Sequence, residues 1–103
     1  MVKVLILFGD PEDSDKFDEH FDNTHQELLK SLPEVDQLIV NRIAGVVVGD
    51  LSYYLIIELH FQSEQQMQNS LNSEQGQAMA RDYAEFATGG TTILFCHSNS
   101  ILV

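Results

Sequence analysis

Y-Y-L-I-I-E-L-H-F, residues 53–61, is the clearest strand in the chain, built from aromatic, β-branched and aliphatic residues without Gly or Pro. At a period of two, Tyr53, Leu55, Ile57, Leu59 and Phe61 form one wholly apolar face. The other face holds Tyr54 and Ile56, then Glu58 and His60. A strand with one solvated side alternates apolar with polar residues. This one is apolar on both sides for most of its length, so both faces of its sheet need cover.

The same two-sidedness recurs in the neighbouring runs. Lys3 to Phe8 puts Val4, Ile6 and Phe8 against Leu5 and Leu7, and Thr91 to His97 puts Ile93 and Phe95 against Leu94 and Cys96. Val35 to Ala44 reads as a further strand, with Gln37 and Asn41 spaced to share a face that the sequence does not identify as inner or outer. Gly9-Asp10-Pro11 ends the first run, and the glycines and aspartate within 45–52 predict a hairpin connection.

Two helical regions separate these strands. Phe17 to Val35 (F-D-E-H-F-D-N-T-H-Q-E-L-L-K-S-L-P-E-V) is amphipathic, with Phe17, Phe21, Leu28 and Leu32 on one side, Asp13 or Ser14 as N-cap and Pro33 as its stop. His25 falls on the edge of that stripe. The second region opens at Ser63 with capping-box character, is interrupted near 69–73, and resumes at Glu74 with Met79, Tyr83 and Phe86 as its apolar side. Thr88-Gly89-Gly90 ends it.

The order is βαββαβ, which predicts an α+β, ferredoxin-like single domain over 1–103, with a four-stranded antiparallel sheet and both helical regions on one face. The helix-free face is not polar. A second copy of the same sheet is its simplest cover, so the sequence predicts a homodimer through the sheet faces.

Sixteen Asp+Glu against five Lys+Arg give a formal charge of -11, which disfavours nucleic acid and anionic membrane surfaces as partners. The longest apolar run, Val4 to Phe8, is too short for a membrane span or a signal-peptide core. A lone cysteine, Cys96, has no internal disulfide partner and fits a reducing cytoplasm.

In the space between two sheets, Glu58 and His60 point the same way, Tyr54 lies further along that face, and Asn41 or Gln37 can join from strand two. His25 is expected to reach the rim. A carboxylate and imidazoles around an apolar pocket suit proton transfer on a small, partly aromatic molecule. Two plainer readings stand beside this: Glu58 pairing with His60 across the dimer, and His25 bonded to a backbone carbonyl. His20 and His25, five apart, fall on different faces of an α-helix, and no His or Cys spacing suits zinc, so no metal is expected. There is no phosphate-binding Gly loop after the first strand and no G-x-S-x-G, so no cofactor is expected either.

Two stretches resemble the EthD family, named for a protein of ethyl tert-butyl ether degradation. That family typically reads F-x-x-Y-Y-x-x-x-H-x-P-L-x-x-x-L-P-G in the first helix, where Phe17, His25, Leu28, Leu32 and Pro33 match in register. N-S-E-Q-G-Q-A-M-A-R-D-Y-A-E-F-A-T-G-G, residues 72–90, is similar to its S-P-E-G-Q helix ending in N-F and G-G. The resemblance implies a dimeric α/β barrel, a small apolar or aromatic, polyketide-like or lactone ligand, and an oxidoreductase or isomerase/cyclase activity. The alternative is a non-catalytic accessory protein of an oxidative degradation or biosynthetic pathway. His20 and Phe21 stand where the family has a tyrosine pair, and Glu27 and Glu34 where it has Pro and Gly. The reading therefore assigns His25, His60 and Glu58 to catalysis and Tyr54, His20, Phe21 and Asn41 to ligand binding.

Overall fold

The computed structural model describes residues 1–50 and 52–103. Four strands form one sheet: β1 (Val2–Gly9), β2 (Gln37–Arg42), β3 (Tyr53–Phe61) and β4 (Thr91–His97), in the order β2-β3-β1-β4 with every neighbour antiparallel. This is the expected ferredoxin-like α+β fold. The connection between β2 and β3 includes Leu51, which lies outside the described residues.

The first helical region is three pieces: α1 (Ser14–His20), a π-helical turn (Phe21–His25) and α2 (Gln26–Lys30). Asp13 caps α1, its carboxylate accepting from the backbone of Asp15 and Lys16. The second region is α3 (Glu64–Asn72) and α4 (Glu74–Phe86), parted at Ser73, whose hydroxyl accepts from the Gly76 amide to cap α4. Pro33 does not itself end the first region, which stops at Lys30. Strand β2 is also shorter than the 35–44 expected.

All helices cover one sheet face. There Val4, Ile6 and Phe8 of β1 meet Leu55, Ile57 and Leu59 of β3, all buried. Phe17, Phe21, His25 and Leu29 bury themselves from above at steps of four. Leu29, not Leu28, therefore takes the core position, because the π turn rotates everything after it. Gly9 and Gly89 pack backbone to backbone: a Cβ on Gly89 would lie 2.2 Å from the Asp10 carbonyl oxygen.

The opposite face carries Lys3, Leu5 and Leu7 of β1, Gln37, Ile39 and Asn41 of β2, Ile56, Glu58 and His60 of β3, and Leu94 and Cys96 of β4. Tyr54 does not join them. The register slips between Phe8 and Gly9, which pair with Leu55 and Tyr53, so Tyr54 sits in a β-bulge. It turns instead to α1, its ring 5.0 Å from Phe17 and its hydroxyl donating to Asp18 at 2.9 Å.

Candidate functional site

The anticipated site residues divide between the two sides of the sheet. On the open face, Asn41 Nδ2 donates to Glu58 Oε2 at 3.0 Å, His60 Nε2 lies 3.1 Å from Glu58 Oε1, and Lys3 Nζ is 3.4 Å from the same oxygen. The register settles which face of β2 joins: Asn41 and Gln37 share the side of Glu58 and His60. The hydrogen bond from Asn41, seconded by those from His60 and Lys3, holds Glu58 below the ordinary carboxylate range, although burial opposes this. A carboxylate so supplied with donors has little basicity left for taking a substrate proton.

His25 is on the other side, fully buried in the helix layer among Phe8, Phe21, Tyr83 and Phe86. It does not reach the rim of the open face. Its Nδ1 lies 2.9 Å from Asp82 Oδ2, and His20 Nε2 lies 2.9 Å from both oxygens of the same carboxylate. The expected divergence of the two histidines fails for a physical reason. Five residues of α-helix put them about 140° apart, at roughly 100° per residue. The π turn between them, closed by Gln26 N–H to Phe21 O, accommodates one more residue and brings both rings onto one face.

A carboxylate only accepts, so both facing nitrogens carry their protons. His25 is then the Nδ1–H tautomer, and its Nε2 is a free lone pair with no hydrogen-bond partner. Burial lowers the His25 pKa from 6.5, partly offset by the bond and charge of Asp82. The result is an oriented imidazole with one unpaired ring nitrogen. Tyr83 presents a second buried atom without a partner, its Oη, and burial pushes that phenol well above its usual range. His20 stacks on Phe86 at 4.9 Å, and Phe21 lies against Phe17 and His25. Among the described residues, no group of three His, Cys, Asp or Glu side chains is placed to hold a metal ion, and no helix is long and apolar enough to cross a membrane.

The EthD domain model matches residues 9–90, four-fifths of this fold and all of the His20–Asp82–His25 cluster. The chain belongs to the EthD family. It is 31% identical, over 99% of both chains, to an uncharacterized 11.0 kDa protein from the thcB–thcC intergenic region of Rhodococcus erythropolis. A solved EthD family protein from Bacillus halodurans superposes with a TM-score of 0.89 at 31% identity, covering 96% of this chain and 99% of that one. A dimeric ferredoxin-like protein of unknown function from Thermobifida fusca shares the fold at 12% identity, with a TM-score of 0.69 over 92% and 88% of the two chains.

Within this EthD chain, sequence reasoning missed Asp82 and the hydroxyl of Tyr83. A signal for Asp82 was present. It falls three residues after Met79 and four before Phe86, a charged residue on the buried stripe of α4.

Proposed function

We propose that this EthD protein transfers a proton on a small, largely apolar molecule, with His25 as the base and Asp82 as the group that orients it. The observation that carries this reading is the fully buried imidazole whose Nδ1 is held by Asp82 and whose Nε2 has no partner. An unsatisfied buried acceptor is costly and rarely kept without a use. Its lowered pKa keeps it unprotonated at neutral pH, the state a base needs. The carboxylate then stabilises the imidazolium formed during transfer. This chemistry needs nothing beyond the side chains named, and it fits an isomerase- or cyclase-type step.

The test is hydrogen exchange at carbon. A set of small ketones and lactones incubated with the protein in D2O reports proton abstraction by NMR, whatever the full reaction is. Exchange catalysed by the wild type and lost in His25→Phe supports the reading. Equal exchange in both proteins refutes it.

The open face favours a second function of the same molecule. Leu5, Leu7, Ile39 and Ile56 lie half-buried on it, and Leu94 is exposed. Two such faces packed together as a homodimer would enclose an apolar space with Asn41, Glu58 and His60 at one corner, suited to holding a small apolar or aromatic ligand. Native mass spectrometry of the purified protein tests this through the dimer mass and any retained ligand.

A further inference from the structure

We infer that Tyr83 is the second half of the His25 site, its hydroxyl meeting the oxygen of a small neutral compound that carries a carbonyl beside an acidic C–H. The inference rests on His25 being the base, and it adds the partner group and the substrate class. Four side-chain polar atoms among the described residues are buried without partners, Gln66 Oε1, Ser70 Oγ, His25 Nε2 and Tyr83 Oη, and the last two belong to neighbouring rings with centroids 5.3 Å apart. One is an acceptor and the other a donor. A guest that satisfies both must present a hydrogen to the imidazole and a lone pair to the phenol. The fragment H–C–C=O does so.

The step balances without a co-reactant. The C–H bond breaks, its proton goes to Nε2, and its electron pair moves through the new C=C bond onto the carbonyl oxygen. That oxygen gains charge as the Tyr83 hydroxyl donates to it, so the bond strengthens where charge develops. Exchange is complete when the proton on Nε2 is replaced by one from solvent and that one returns to the same carbon, restoring the carbonyl. Asp82 and Tyr83 are consecutive on α4, so one helix presents both the group that orients the base and the group that meets the oxygen.

The nearby surface bears on the charge of the guest. A cleft of about 240 Å³ shares the Phe86 side chain with the cluster, though neither His25 nor Tyr83 lines it, and its lining carries Glu12, Asp13 and Glu85 against a single Lys16. The Phe86 ring lies 4.7 Å from that of His25, so a guest that reached the base from this cleft would require the Phe86 side chain to move. Three carboxylates against one ammonium disfavour acids and phosphates and admit neutral ketones.

The experiment uses phenylacetone labelled with carbon-13 at its carbonyl, with the full chain and Tyr83→Phe, which removes only the hydroxyl. In infrared difference spectra, the bound carbonyl stretch is expected at lower frequency in the wild type than in Tyr83→Phe. Deuterium exchange at the probe's methylene is expected to fall about a hundredfold in the variant. Identical stretch and exchange in the two proteins, or no binding of the probe by the wild type, overturns the inference. Loss of exchange in His25→Phe with Tyr83→Phe unaffected overturns it too, while leaving the base intact. A stretch sensitive to Tyr83→Phe, together with exchange insensitive to His25→Phe, supports the carbonyl contact and removes His25 as the base.

Discussion

His20 and His25 are five residues apart and meet on one carboxylate, each with a ring nitrogen 2.9 Å from an Asp82 oxygen. A regular α-helix forbids this meeting, and the π turn between them permits it. The turn is held from outside: Phe21 and His25 within it are fully buried, and Arg42 reaches across from β2 to Asp18 and Asp22 and over the Phe21 ring. Local geometry and tertiary contacts are therefore coupled at this point, and a perturbation of one is felt by the other.

Asp82→Ala tests that coupling. It removes the acceptor of two charge-assisted bonds and leaves the buried His25 with neither nitrogen paired. Bonds to charged groups contribute about 1.5–3 kcal/mol, and effects within one network are not additive, so the expected loss is about 2–4 kcal/mol. His20→Ala removes only the part-exposed arm and should lose less, about 1 kcal/mol. Urea unfolding checks both, as lowered midpoints at an unchanged m-value. Equal losses for the two variants would contradict a cluster centred on His25.

The lowered pKa of His25 fixes the sign of a pH effect. The unfolded chain takes up this proton near 6.5, whereas the folded protein takes it up only at lower pH. Between those two values the unfolded state binds the extra proton, so stability decreases as the pH is lowered, by at most about 1.4 kcal/mol per unit. It levels off below the folded value. Glu58, held below its ordinary 4.5, contributes stability that is complete above 4.5 and lost as pH falls through its folded value. Unfolding free energies should therefore drop just below pH 6.5 in the wild type and stay flatter there in His25→Phe. Proton abstraction from a bound carbon acid should rise with pH and reach its plateau already below 6.5.

The fold was legible in the sequence because hydrophobic period and strand order carry it: β3 and β4 fall at the expected residues, and the sheet order follows from βαββαβ. The site was half legible. His25 stood out as a titratable group beside an apolar stripe, and Glu58, His60 and Asn41 do gather on one face. What failed were the departures from ideal period. The π turn shifted the phase after Phe21, and the bulge turned Tyr54 to the other face. Both are single-residue insertions into a regular repeat, and composition alone leaves no mark of them.

Tyr83→Phe should leave the ligand-free protein as stable as the wild type or more so. Its hydroxyl is buried without a partner, and such a group forfeits about 1–3 kcal/mol of hydration. Removing one oxygen relieves that while keeping the ring contacts with Phe8 and His25. A gain of up to about 1 kcal/mol, seen as a higher midpoint in thermal melts, is expected. A clear loss would mean that the hydroxyl makes a stabilising bond in the free protein. A gain in stability joined to a loss of exchange would place Tyr83 among residues kept for chemistry at the expense of the fold.

Ile56→Glu probes the cover of the open face. Ile56 pairs with Leu7 on one side and Asn41 on the other, near the middle of the helix-free surface, while its neighbours Leu55 and Ile57 point into the core. A carboxylate at that position leaves the buried face untouched, so the subunit should keep its fold. Packed against a second copy, it would be desolvated without a cation, and symmetry would place two such charges in one interface. Sedimentation should give the wild type at about twice 11.6 kDa and the variant near the single-chain mass, with matching far-ultraviolet circular dichroism. A wild type that sediments as a monomer at micromolar concentration removes the sheet-to-sheet dimer. A variant that stays dimeric moves the interface elsewhere, and the exposed Ile93 and Phe95 of β4 would then be the surface to mutate next.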